Sequence, residues 1–234
     1  IPLGLSLEQI NPATAAGETA DIVITGLPEG VLLSDEAVQS GASWIVAAEF
    51  VEDLVIKNAD IASPFSITIE ARSTLNGVTV VGGKQALAIN VDSVVGDNDV
   101  LVGDASLSNL IIGGKGDDIL TGGTAEDTYL FQLSDIGTAA TPTSDIINLF
   151  DIAADHIDLS DILGSLNSGV ELDAIIDLNE ATGNTTLTID LGAGLVQSIV
   201  LDDVSKDDLF GSSSWSDDAD ILTKMLEDQV LLTG

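Results

Sequence analysis

Residues 1–93 alternate apolar and polar positions in short runs: LSLEQI, TADIVITG, SWIVA, LVIKN, FSITIEARSTL and VTVVGGKQALAINV. A two-residue period is that of a strand with one buried face. Leu27-Pro28-Glu29-Gly30 and Asn76-Gly77 supply turns between runs. About seven strands in such a length predict an N-terminal Ig-like β-sandwich with Trp44 in its core. Residues 128–234 keep the strand pattern through TYLFQL, DIINLF, HIDLSDIL, VELDAIIDL, TTLTIDL and QSIVLDDV, with Gly192-Ala193-Gly194 turning between the last two. Beyond Ser212–Ser214 the period becomes helical. In DDADILTKMLEDQVLL, Ile221, Leu222, Met225 and Leu226 form one apolar stripe, Ser216 can cap the helix, and Asp217 and Asp218 favour its positive end. Almost no basic residue accompanies the stripe, so it is expected to pack in a core rather than on a membrane.

Residues 94–130, VVGDNDVLVGDASLSNLIIGGKGDDILTGGTAEDTYL, follow another rule. From Gly113 the chain reads G-G-x-G-x-D-x-U-x, where U is a large apolar residue. Asp99, Asn109, Asp118 and Asp127 fill the sixth place at intervals of 10, 9 and 9, and Leu101, Ile111, Leu120 and Tyr129 follow two residues after each. Some units are worn: Val94 and Val95 replace glycines, Asn109 replaces the acid, and Ala125 replaces the inner glycine. Glycines permit φ > 0 and turns tight enough to aim carbonyls inward, and a carboxylate adds a hard oxygen suited to Ca2+. The x-U-x residues then make short strands of a parallel β-roll, two units to a coil. Asp99 is expected beside Asp118, and Asn109 beside Asp127, across two calcium sites. The candidate ligating residues are Asp97, Asp99, Gly103, Asn109, Gly113, Gly114, Gly116, Asp118, Gly122 and Asp127. A mere run of Gly-Asp turns is the alternative, and four aligned acid-or-amide and apolar pairs count against it. This nonapeptide resembles the calcium-binding repeat of the repeats-in-toxin (RTX) proteins.

Charge sharpens the picture. The 234 residues carry 39 acidic and 6 basic side chains, net −33, yet 45% of them are hydrophobic. Such a charge opposes compaction and excludes electrostatic attraction to nucleic acid or anionic lipid. The apolar content is too high for a solvated disordered tail. A chain whose folding is conditional on bound cation, and which is monomeric, is therefore expected. With no cysteine, metal is the remaining staple for an exported protein. No apolar run approaches the roughly 20 residues that span a bilayer. The chain starts at Ile1 without a leader and is read as an excised piece.

Two further resemblances carry functional expectations. TADIVITGLPEGVLLS and FSITIEARS resemble Ig-like or cadherin-like extender repeats of large bacterial surface adhesins. Glu49, Glu52, Asp53 and Asp92 could bind calcium at a domain junction in such an extender, although a solvated acidic face is the expected reading. The succession DTYLFQLSDIG, SDIINLFDIAADHIDLSDIL, TLTIDLGAGLVQSIVLDDV and DADILTKMLEDQVLLTG is similar to the C-terminal target region of RTX proteins exported by type I secretion, especially giant biofilm adhesins. The resemblance implies an uncleaved C-terminal export signal, engagement of the type I secretion machinery, and a final location outside the cell or on the bacterial surface. The implied domains are 1–93, an extender; 94–130, the calcium β-roll; and 131–234, an all-β target domain with a terminal helix.

Catalysis is not expected. His156 is the only histidine and is expected at the surface where a strand starts; no HExxH or G-x-S-x-G occurs. Acidic pairs are too abundant to single out a glycosidase couple. A second class of function is a module binding glycan, ice or an abiotic surface. Sugars stack on exposed aromatics, and aromatics are 3% of this chain, so a structural and secretion module is the preferred reading.

Overall fold

The computed structural model describes residues 18–34, 36–51, 54–57, 64–91, 98–164, 166, 168–212 and 214–233. The chain divides into two compact units, Ile1–Ile89 and Asn90–Gly234. The first contains β1 (Glu18–Thr25), β2 (Leu32–Leu33), β3 (Val38–Ser40), β4 (Ser43–Ala47), β5 (Ile56–Lys57), β6 (Phe65–Leu75) and most of β7 (Val78–Val91). An antiparallel sheet runs β7-β6-β1-β4-β3, and β2 pairs with β5 in a small second sheet. The register sets Ile22 opposite Val46 and Ile24 opposite Trp44. All four are buried, which is what period-two alternation requires of a half-covered sheet. Asn76 and Gly77 both have positive φ, 51° and 77°. That left-handed pair makes the tight turn from β6 to β7. Arg72 lies opposite Asp21 and donates from Nε to its Oδ1 at 2.6 Å. The predicted strand LSLEQI, and Glu52, Asp53 and Asp92, lie outside the described residues; Glu49 is exposed in a short 3-10 turn.

The second unit holds β8 (Val100–Val102), β9 (Ser108–Ile112), β10 (Ile119–Thr121), β11 (Thr128–Leu130), β12 (Gly137–Thr138), β13 (Thr143–Asn148), β14 (His156–Asp158), β15 (Ile176–Ala181), β16 (Asn184–Asp190), β17 (Leu195–Leu201) and β18 (Leu231–Leu232). β8, β10, β13 and β17 are parallel neighbours in one sheet, which β16 and β15 extend antiparallel. β9, β11, β14 and β18 are parallel neighbours in another. From β8 to β14, β12 apart, the chain alternates between the two sheets, so two strands and two turns make one circuit. Ile111, Leu120, Tyr129, Ile147 and Ile157 are at most 1% exposed and share one core with residues out to Leu231. Segments 94–130 and 131–234 thus meet in a single core. Replacing Ile147 by Ala is expected to cost about 2–5 kcal/mol, measured by denaturant unfolding. A change confined to residues 143–150 in hydrogen exchange would contradict that shared core.

Among the described residues, four short helices complete the unit: α1 (Ser160–Leu163), α2 (Gly169–Asp173), α3 (Lys206–Phe210) and α4 (Asp218–Glu227). α4 buries Ile221, Leu222 and Met225, and Leu226 packs beside them. Its cap is Asp217, whose side chain accepts from Asp220 N, rather than Ser216; the Ser216 hydroxyl instead donates to Asp220 at 2.6 Å. Two stretches that alternate like strands are only partly so. VELDAIIDL starts with α2 and becomes strand at Ile176, and HIDLSDIL leaves β14 for α1. Among the described residues, no helix is long and apolar enough to cross a membrane.

Lys206 is the one basic side chain buried in the second unit among the described residues. Its Nζ donates to Asp218 Oδ1 at 2.7 Å and sits 5.2 Å from the Trp215 ring centre. Asp218 Oδ2 in turn accepts from Leu178 N, so α3, α4 and β15 are tied together. Lys206→Met leaves a charge without its partner and is expected to cost about 3 kcal/mol. Pairing it with Asp218→Asn should recover part of that loss in chemical denaturation.

Candidate metal centre

The sixth-place residues stack into two rows along the turns. In the first, Asp118 Oδ1 accepts from Asp99 N at 2.9 Å, and Asp145 Oδ1 accepts from Asp118 N at 2.8 Å. In the second, Asp127 Oδ1 accepts from Asn109 N at 2.8 Å, and Asp155 Oδ1 accepts from Asp127 N at 3.0 Å. The structure thereby brings together Asp99 with Asp118 and Asn109 with Asp127. Asp97 lies outside the described residues. Asp145 and Asp155, absent from the sequence-derived set, continue the rows. Each obeys the same D-x-U rule, with Ile147 and Ile157 pointing into the core. Gln197 closes the first row, donating from Nε2 to Asp145 Oδ2 at 2.7 Å. A parallel row of position-five residues runs alongside: Asp117 N donates to Asn98, and Ser144 N donates to Asp117.

The glycines serve two different purposes. Gly114 and Gly116 have φ of 84° and 138°, values an L side chain resists. Gly103, Gly113 and Gly122 do not have positive φ; they are needed for space. A Cβ on Gly113 would stand 2.5 Å from Asp118 Oδ2, and one on Gly103 would stand 2.6 Å from the Asn109 amide carbon. A Cβ on Gly122 would collide with the Asp127 carboxylate and meet the Tyr129 hydroxyl. Each of these glycines forms a cradle for the acid or amide that folds back onto it. Gly122→Ala is therefore expected to displace Asp127 and lower the melting temperature by several degrees, checked by calorimetry.

Burial and mutual repulsion load these rows electrostatically. Asp118, Asp127, Asp145 and Asp155 are each at most 2% exposed. Burial, opposed by the Asp118 amide and Gln197 and reinforced by the Asp118 and Asp117 charges, pushes the Asp145 carboxyl up to about 7. Burial also leads for Asp155, with Asp127 and Asp151 adding repulsion, and brings it to about 6 against the pull of two backbone amides. The Tyr129 hydroxyl is pushed upward by burial and then by Asp155 and Asp127. Stacked buried carboxylates with hard oxygen donors on tight turns suit a divalent cation that takes oxygen ligands. Among the described residues, no three acidic or histidine side chains converge on one point. A cation at these turns would therefore draw on backbone carbonyls for much of its shell, as calcium readily does.

His156, at the start of β14, is partly buried rather than a plain surface residue. Its Nδ1 lies 2.6 Å from Gln229 O and its Nε2 lies 3.1 Å from Glu126 Oε1. That bridge fastens the approach to β18 onto the turn before β11.

No family model matches the chain, and no curated protein matches it. Among solved structures, the R3 subunit of the AlgE6 mannuronan C5-epimerase of Azotobacter vinelandii is similar at 20% identity and a TM-score of 0.36, covering 52% of this chain and 83% of its own. The R2 subunit of the same enzyme is similar at 22% identity and a TM-score of 0.33, covering 56% and 94% respectively.

Proposed function

We propose that residues 90–234 form a calcium-binding β-roll that folds once the chain meets extracellular calcium. In this reading they are the non-catalytic C-terminal part of a secreted RTX adhesin, carry its type I export signal, and follow an Ig-like extender. One observation carries the calcium reading: the buried, stacked carboxylates of Asp118, Asp145, Asp127 and Asp155 on turns between parallel strands. Calcium supplies the positive charge that lets those carboxylates stay ionised together. Asp118 and Asp127 hold oxygens at the turn, Gly113 and Gly122 clear the space, and Asp145 and Asp155 brace them from the following coil. With a dissociation constant of about 10⁻⁴ M and roughly tenfold more calcium outside, each site adds about 1.4 kcal/mol. Two sites would give about 3 kcal/mol, a large part of a usual margin of about 5–15 kcal/mol.

A glycan-binding role has less to build on. Trp44 is 8% exposed, and Trp215 is engaged by Lys206 and by Asp207, which accepts from its Nε1 at 3.0 Å. The deciding experiment is a calcium titration by calorimetry on the wild type and Asp118→Ala. The wild type is expected to show saturable binding at submillimolar calcium, and Asp118→Ala fewer ions. An absence of binding heat in millimolar calcium would end the calcium reading.

A further inference from the structure

The turn between β8 and β9 is closed differently from those before β10 and β11. Asn109, 1% exposed, has its Nδ2 3.0 Å from Asp104 O, 2.9 Å from Leu107 O and 2.7 Å from Asp127 Oδ1. Its Oδ1 accepts from Asp104 N at 2.7 Å, which fixes the orientation of the amide. Three oxygens thus converge on a nitrogen with two N–H groups to offer, an acceptor-rich hole resembling the surroundings of an oxygen-ligated cation. At the matching places stand the carboxyls of Asp118 and Asp127, which have no N–H to offer the turn carbonyls. The Asn109 turn also has its own local scaffold. Asp104 Oδ1 accepts from Ser106 N at 2.9 Å and from Leu107 N at 3.2 Å. The stretch from Gly103 to Asn109 is one residue longer than those from Gly113 to Asp118 and from Gly122 to Asp127.

We infer that the Asn109 amide nitrogen occupies the place of a calcium ion in the turn 103–109, so that this turn is locked without metal while the aspartate turns depend on it. The contrast with the aspartate turns rests on the calcium reading above; the geometry of Asn109 does not. Removing the amide should leave the ion count unchanged. Replacing it by a carboxylate should open the hole to calcium, because Asp104 O, Leu107 O and Asp127 Oδ1 remain to receive it.

The test uses the full chain, calcium chloride as the probe, and ion stoichiometry by calorimetry with melting in calcium and in chelator. Asn109→Asp is expected to bind one more ion than the wild type, to melt lower in chelator, and to recover in calcium. Asn109→Ala is expected to keep the wild-type ion count and to melt lower by the same amount in both conditions. Loss of one ion in Asn109→Ala would overturn the inference, as would an unchanged count in Asn109→Asp or failure of that variant to fold in millimolar calcium. A wild type that binds no calcium, beside an Asn109→Asp variant that binds one ion, would end the calcium reading and the contrast with the aspartate turns, and leave the assignment of the Asn109 amide standing.

Discussion

In excess chelator at pH 8, the unit Asn90–Gly234 is expected to melt well below its temperature in calcium and to lose part of its strand signal, while the unit Ile1–Ile89 is unaffected. The two tryptophans separate the responses, since Trp44 lies in the first unit and Trp215 in the second. In a Trp44→Phe background, Trp215 emission should shift to the red on chelation and return with millimolar calcium. In a Trp215→Phe background, the buried Trp44 should not respond. The size expected is about 3 kcal/mol for two sites, a large part of a usual margin of about 5–15 kcal/mol. Identical spectra and melting points with and without chelator would remove the proposed dependence.

Acid is expected to do part of what calcium does. The carboxyls of Asp145 and Asp155 are pushed up to about 7 and about 6 by burial first and by neighbouring acids after. An aspartate in the unfolded chain ionises near about 3.9, so between that value and the raised one the folded state binds more protons. The folded state is then favoured below the unfolded value, and that advantage is lost as pH rises through about 6 to 7. In chelator, melting temperature and strand signal should therefore rise on acidification from pH 8 to pH 5. In saturating calcium the trend should reverse, because protons compete for the ligating oxygens. The double variant Asp145→Asn, Asp155→Asn should flatten the profile in chelator between those limits. A profile as steep as the wild type's would assign it to the general acidity of the chain.

How much of this was legible beforehand depended on whether the signal was periodic. The nine-residue spacing placed Asp99, Asn109, Asp118 and Asp127 in register, and the apolar residues two positions later marked the core. Asp145 and Asp155 kept the same D-x-U rule yet stood 27 and 28 residues beyond their row partners. No glycine pair announces them, and the residues between, with the small strand β12, break the rhythm. The glycines were read as conformational devices, whereas Gly103, Gly113 and Gly122 are required for clearance, a property visible only once the acid folds back. α2 was missed despite a signature in plain text: Ser168 and Glu171 stand three apart, and the Ser168 side chain accepts from Glu171 N. Val, Leu and Ile spaced like a strand outweighed that cap. Ser205 and Asp208, also three apart, form a fully reciprocal box for α3 inside QSIVLDDVSKDD.

The cradles also govern where this chain tolerates added length. From Gly113 to Asp118, and from Gly122 to Asp127, there are five steps back to the bare Cα; the six-step turn from Gly103 to Asn109 keeps its cradle with the added Asp104 scaffold, which those two turns do not carry. Between circuits the constraint lapses, and the stretch from 131 to 142 is already such an excursion. Splicing in a further copy of 113–130 ahead of β13 should therefore give a longer cylinder. Strand spacing would advance it by about 4.8 Å per copy, whereas one residue inserted between Gly122 and Asp127 should wreck the wall at that height.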